Sequence, residues 1–281
     1  FESHGLAPVV GGSLGSLLST ARSAAQRKQR RLWAREQTVW RRAEGYVAIT
    51  EILAAELASH FGTRELVRVI VDGVRLEPGR AFAPSDPADA PTLGYAGHLY
   101  PWKGVDTMLH ALARLPGARG LIVGGHPNEP DLDRLRHLAE ALCLGSRVTF
   151  TGLVPPHAVA ALLSQASILV LPNRSTAISA RYASPLKLFE YLGSSRPLVA
   201  SDLPAFREVL RDGENALLVP PDDPEALAAA VRRLQSEAGL AERLARTAFE
   251  EAPGFSWEAR ASRLEALFDE VRRMRPDALK G

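Results

Sequence analysis

From Thr92 onward the chain alternates short apolar runs with stretches whose apolar residues recur at helical spacing. Thr92 to Ala96, Gly120 to Val123, Val148 to Phe150, Ile168 to Leu171, Pro197 to Ala200 and Ala216 to Val219 read as strands. Between them, Val105 to Leu115, the face made by Leu132, Leu135, Leu138, Ala139 and Leu142, Pro156 to Leu163, a run opening at Ser184 and a short segment from Pro204 read as helices. Strands alternating with helices predict parallel pairing through right-handed crossovers, with helices on both faces. The expected fold class is therefore α/β, a doubly wound, Rossmann-like sheet. Ligands of such sheets sit beyond the carboxyl ends of the strands, so the strand-end loops are where chemistry is sought.

Upstream the pattern is thinner. Gly45 to Ile49 and Val67 to Val71 read as strands around a helix from Glu51 to His60, part of a second Rossmann-like unit. The polar stretch Pro84-Ser85-Asp86-Pro87-Ala88-Asp89-Ala90-Pro91 has linker composition. The expected division is residues 1–88 as the remnant of a first domain, 89–256 as a ligand-binding domain, and 257–281 as a helix packing back on the first domain. That helix would use Trp257, Ala261, Leu264, Leu267, Phe268 and Val271. Phe1-Glu2-Ser3-His4-Gly5 reads as a strand end entering a loop, so earlier strands of the first domain are expected upstream.

Composition is that of an ordinary globular chain: 281 residues, 46% hydrophobic and 23% charged. The lone Cys143 excludes an intramolecular disulfide framework and a cysteine metal cluster, and its apolar surroundings predict a buried position. No run approaches the roughly 18–20 apolar residues a membrane span needs, which places the chain in the cytoplasm or peripherally at the inner face of the membrane. The net charge of +2 conceals a local +7 between Arg22 and Arg42, leaving −5 on the remainder. Leu18, Ala25, Leu32 and Val39 recur every seven residues beside Trp33 and Trp40, so this segment is a basic amphipathic helix. Its first reading is a solvated face over a domain; the second is contact with anionic lipid headgroups. Nucleic acid is not expected as a partner.

Four constellations lie at strand ends. In Gly97-His98-Leu99-Tyr100-Pro101-Trp102-Lys103-Gly104 a strand opens into a loop that brings Lys103 to a helix start, where free N–H groups and the helix dipole favour anions. Ser184-Pro185-Leu186-Lys187-Leu188-Phe189-Glu190 repeats the arrangement, with Glu190 one turn beyond Lys187 and within reach of sugar hydroxyls. Arg174 and Arg181 precede it in a segment from Asn173 to Ala183 that lacks apolar periodicity and reads as an irregular loop. Gly124-Gly125-His126-Pro127 allows close backbone approach, and Gly152-Leu153-Val154-Pro155 offers a turn to a flat base. Two lysines from different loops suit a diphosphate clamp. Taken singly, each lysine is equally well a surface charge.

Several pieces stand in the order found in one family: Gly-x5-Lys-Gly-Val-Asp at Gly97 to Asp106, Thr151-Gly152, Leu171-Pro172, Pro185 to Tyr191, and Asn-Ala-Leu-Leu-Val-Pro-Pro-Asp-Asp-Pro at Asn215 to Pro224. From about Gly94 onward the chain resembles the retaining GT-B glycosyltransferases of the family 4 type, the glycosyl transferases group 1. Asp72-Gly73-Val74-Arg75 resembles a turn late in that family's N-terminal domain. The resemblance implies that residues 1–88 are the acceptor side and 89–256 the nucleotide-sugar domain. It implies that Lys103 and Lys187 bind the diphosphate of a UDP- or GDP-sugar, and that Ser184, Pro185 and Leu186 line it with backbone. Glu190 would accept the ribose hydroxyls, Leu153 would lie by the base, and Gly97, His98, Arg181 and Tyr182 would complete the donor site. His4 resembles a strand-end histidine near the transferred sugar, and reads equally as a plain loop histidine. No metal or other cofactor is implied.

Two positions depart from the family pattern. Arginine is common where this chain has His98, and Tyr182 stands where a first glutamate usually meets the donor sugar. The reading is a transferase that moves a sugar from a nucleoside-diphosphate donor to a hydroxyl of a glycan or lipid-linked acceptor, with retention. The alternatives are a nucleotide-sugar epimerase on the same architecture and a non-catalytic nucleotide-binding module.

Overall fold

Two parallel sheets organise the chain, which a computed structural model describes over residues 2–3, 22–77, 79–85, 90–127, 129–181 and 185–274. The smaller has the order β1 (Glu2–Ser3), β2 (Tyr46–Ala48), β3 (Val67–Val69). It is flanked by α1 (Arg22–Arg42) and α2 (Glu51–Phe61), whose Thr50 caps the first turn by accepting the Leu53 N–H at 3.1 Å. Trp33, Val39 and Trp40 of α1 pack on Leu53, Leu57 and Phe61, and Glu36 accepts the Tyr46 hydroxyl at 2.6 Å. Trp33, Val39 and Trp40 of the basic helix are thus spent on the core, while Arg27, Lys28, Arg30, Arg31, Arg35, Arg41 and Arg42 face solvent.

The larger sheet comprises β4 (Thr92–Ala96), β5 (Arg119–Val123), β6 (Val148–Gly152), β7 (Ile168–Leu171), β8 (Leu198–Ser201) and β9 (Leu217–Val219). Their order is β6-β5-β4-β7-β8-β9, all parallel. The winding direction reverses between β4 and β7, which opens a crevice at their carboxyl ends. Every residue of β7 and β8 is buried, as expected of parallel strands covered on both faces. On one face Met108 and Leu109 of α3 (Val105–Ala113), Leu135 of α4 (Pro130–Ala141) and Val231 of α9 (Pro224–Ser236) complete a core. On the other, Leu163 of α5 (Pro156–Leu163), Leu188 and Phe189 of α7 (Leu186–Leu192) and Phe206 of α8 (Pro204–Arg207) do the same.

Three expectations need correction. Cys143 is exposed, because α4 ends at Ala141 and the chain turns back with Cys143 at φ 55°. The Leu144 N–H reaches Ala139 O and the Cys143 N–H reaches Glu140 O, each at 2.9 Å, so a cysteine occupies the left-handed position that glycine usually fills in this helix stop. The segment after Asn173 is not wholly irregular: α6 (Ala177–Arg181) forms there, started by Thr176, whose hydroxyl accepts the Ser179 N–H at 3.2 Å. On α11 (Trp257–Met274), Leu264, Leu267 and Val271 pack on Val47 of β2 and on Leu66 and Ile70 at either end of β3, but Trp257, Ala261 and Phe268 are exposed. The structure also adds α9 and α10 (Leu240–Glu251) beyond the last predicted strand.

Polar contacts tie the two units. Glu208, just past α8, accepts the first-turn N–H groups of α2 at Glu51 (2.8 Å) and Ile52 (3.2 Å). The Thr50 hydroxyl donates to Arg181 O at 3.0 Å.

Candidate active site

The loops after β4 and β7 flank the crevice, and the chain locks them together. Gly104, at φ 67° ahead of α3, lies so close to the end of β7 that a Cβ there would stand 1.8 Å from Pro172 O. The Arg174 N–H donates to Trp102 O at 3.0 Å, and the Arg174 guanidinium bonds Asp106, in the first turn of α3, at 2.6 Å. Asp106 is buried and also takes Arg134 at 3.4 Å, so its charge is compensated inside the fold. The segment after β4 and the connection after β7 that carries α7 thus leave the carboxyl ends of two adjacent strands.

The β4 loop is rigid on its other side as well. The Gly97 N–H donates to Val123 O at 2.9 Å, and a Cβ on Gly124 would meet Gly97 O at 2.4 Å, so both glycines serve close backbone approach. The Tyr95 hydroxyl donates to His98 O at 2.6 Å. The His98, Tyr100 and Trp102 rings form a near-parallel column with centroids 5.1 and 4.6 Å apart. The Lys103 N–H, next along, donates to Tyr100 O at 2.8 Å. Burial pushes the Lys103 ammonium below the usual lysine range, the condition of a cation short of a counter-charge.

On the β7 side, α7 begins at Leu186 with Pro185 at its N-cap position, and spans seven residues. Lys187 and Glu190 pair at 2.7 Å, both part-exposed, as their spacing predicts. Tyr191, fully buried in the same helix, accepts the Ala96 N–H at 2.7 Å and so fastens α7 to the end of β4. Burial, with a smaller contribution from Glu190, raises its hydroxyl far above the usual tyrosine range, so it stays neutral. Leu153, after β6, is 64% exposed, a bare apolar surface at a strand end.

Of the other candidates, Arg181 has its guanidinium 3.4 Å from Glu56 of α2. His4, Tyr182 and Ser184 lie outside the described residues. Sequence reasoning missed Glu129, which bonds His98 and takes the Leu99 N–H at 3.0 Å. Nothing in the linear spacing signals that partnership, because it joins two loops 31 residues apart.

Residues 90–237, more than half of the chain, match the family model of the glycosyl transferases group 1. A D-inositol 3-phosphate glycosyltransferase of Streptomyces bingchenggensis is 31% identical over 257 residues, 85% of this chain and 55% of that protein. An alpha-D-kanosaminyltransferase of Streptomyces kanamyceticus is 31% identical over 189 residues, 65% of this chain and 46% of its own length. The chain thus spans about half the length of these relatives. Sucrose-phosphate synthase from Thermosynechococcus elongatus superposes with a TM-score of 0.76 at 24% identity, over 97% of this chain and 67% of that one. Anabaena HepE in complex with UDP and glucose superposes at 0.72 with 18% identity, over 96% and 70%.

Proposed function

Because the chain belongs to the glycosyl transferases group 1 and has their GT-B type of fold, we propose that it transfers a sugar from a nucleoside-diphosphate donor to a hydroxyl acceptor with retention. The observation that carries the reading is the position of Lys103 in the turn after β4 and of Lys187 in the first turn of α7, on the connections that follow the adjacent parallel strands β4 and β7. In this reading both ammonium groups meet the diphosphate, joined by the Leu186 N–H; Pro185, having no N–H, shapes the approach only. Glu190 exchanges Lys187 for the ribose hydroxyls, Leu153 covers the base, and Gly97 and His98 face the phosphates. Binding of UDP and glucose by HepE makes UDP-sugars the first donors to test.

The chemistry asked of these groups is electrostatic. Negative charge grows on the leaving diphosphate as the glycosidic bond breaks, and cations fixed there stabilise the transition state more than the ground state. In front-face transfer the leaving phosphate takes the proton of the attacking acceptor hydroxyl, so no separate base is required. The acceptor is a glycan or a lipid-linked saccharide, and the basic outer face of α1 is assigned to an anionic membrane surface. With Trp33, Val39 and Trp40 already packed, that helix would meet lipid mainly by charge.

Calorimetric titration of UDP and GDP into the parent protein and into Lys103→Ala and Lys187→Ala tests the donor site. Each substitution is expected to weaken binding by about tenfold or more, the worth of one charged contact. Equal affinity in all three proteins would remove the assignment.

A further inference from the structure

We propose that Glu129 is a positioning residue of the donor site, holding the loop after β4 through His98 and the Leu99 amide. The inference rests on reading that loop as part of the diphosphate site.

Glu129 occupies the N-cap position of α4, yet its side chain makes no capping bond to that helix. A residue chosen to cap would be serine, threonine, aspartate or asparagine. The carboxylate is instead turned across to the neighbouring loop, where one oxygen meets His98 Nδ1 and the other accepts the Leu99 N–H at 3.0 Å. The residue is only 8% exposed, whereas the His98 side chain remains 60% exposed. A buried carboxylate whose two oxygens both reach a neighbouring loop, with one further bond from the His126 N–H of its own loop, costs desolvation that its own helix does not repay.

Burial pushes the Glu129 carboxyl up. Bonds from the Leu99 N–H, His98 and the His126 N–H, with the charge of His98, outweigh that and hold it below the usual carboxylate range. It is therefore an anion at neutral pH beside a site assigned to another anion. Its bonding to His98 and Leu99 makes that tolerable, because both oxygens are already occupied.

From Glu129 the constraint runs along the loop. The imidazole it orients stacks on Tyr100, Tyr100 stacks on Trp102, and Lys103 follows with its N–H on Tyr100 O. With Nδ1 facing a carboxylate, the proton sits on Nδ1 and fixes which edge of the ring faces the crevice. Glu129 touches neither the donor nor the reacting atoms in this account; it acts through the residues that do.

The test is a set of UDP titrations on the full chain: parent, Lys103→Ala, Glu129→Ala, Glu129→Gln, His98→Ala and the double variant Glu129→Ala/His98→Ala. Glu129→Ala is expected to weaken UDP binding by about tenfold. Glu129→Gln, whose amide accepts from Leu99 and donates to the other imidazole tautomer, is expected to stay within about threefold of the parent. In the His98→Ala background the cost of Glu129→Ala is expected to shrink, the non-additivity of groups acting as one unit. A capping or purely structural role predicts additive losses and no rescue by glutamine, and that pattern overturns the proposal. So does parental affinity in Glu129→Ala. If Glu129→Ala does not fold, the glutamine variant decides: affinity at the alanine level of Lys103→Ala counts against the proposal, and near-parental affinity supports it. A parent that binds UDP and loses it in Lys103→Ala, while Glu129→Ala is unaffected, refutes this inference alone. A parent indifferent to Lys103→Ala refutes the donor site and this inference with it.

Discussion

Replacing Lys103 by methionine separates what this residue costs the fold from what it gives a bound anion. Burial pushes its ammonium below the usual lysine range, and among the described residues no carboxylate pairs with it. Since the folded pKa lies below the unfolded one, the charged form is penalised in the native state at every pH below the folded value. The penalty fades as pH rises into the lysine range. Methionine keeps most of the aliphatic stem without the charge. The variant is therefore expected to unfold at higher urea than the parent at neutral pH, with the margin narrowing at alkaline pH. A diphosphate would supply the missing counter-charge, so the same change is expected to weaken UDP binding. A hydrogen bond to a charged group is worth about 1.5–3 kcal/mol, which converts to about 10- to 150-fold in affinity. Urea unfolding at two pH values and calorimetry on the same preparations read both effects. Lower stability in the variant would refute the desolvation argument, and undiminished UDP affinity would refute the donor contact.

Other consequences are open to measurement. Tyr191→Phe leaves the buried Ala96 N–H without its acceptor and is expected to cost about 1–3 kcal/mol in urea unfolding; a loss below about 0.5 kcal/mol would mean the bond is replaceable. Gly104→Ala forces a Cβ to within 1.8 Å of Pro172 O at φ 67°, so it is expected to cost more than about 2 kcal/mol and to abolish UDP binding by parting the two loops. Arg27→Glu/Arg31→Glu/Arg35→Glu is expected to reduce sedimentation with anionic vesicles while leaving UDP affinity unchanged; binding indifferent to lipid charge would remove the membrane assignment.

The larger sheet was legible because parallel strands covered on both faces must be continuous apolar runs, and Ile168-Leu169-Val170-Leu171 has no other use. Lys187 and Glu190 were legible as neighbours on one helical face because a spacing of three brings side chains together, and their ion pair is what the structure adds. What escaped depends on contacts between distant segments or on unusual occupants of common turns. Glu129 before Pro130 reads as a helix start, and only the approach of the β4 loop shows where its carboxylate goes. Cys143 reads as buried because the turn that exposes it normally announces itself with glycine. Asp223 before Pro224 is a capping signal, its carboxylate accepting the Glu225 and Ala226 N–H groups at 3.0 and 2.9 Å, and was sufficient to predict α9. The basic helix reads differently once folded, since Trp40 is buried in the core of the first unit and Trp33 packs against it.

A crystal structure of the protein bound to UDP tests the central claim most directly. The account predicts phosphate oxygens about 2.7–2.9 Å from the ammonium groups of both Lys103 and Lys187, the ribose on a Glu190 released from Lys187, and the base over Leu153. A nucleotide bound elsewhere, or a diphosphate beyond reach of both lysines with the Lys187–Glu190 pair intact, would contradict it.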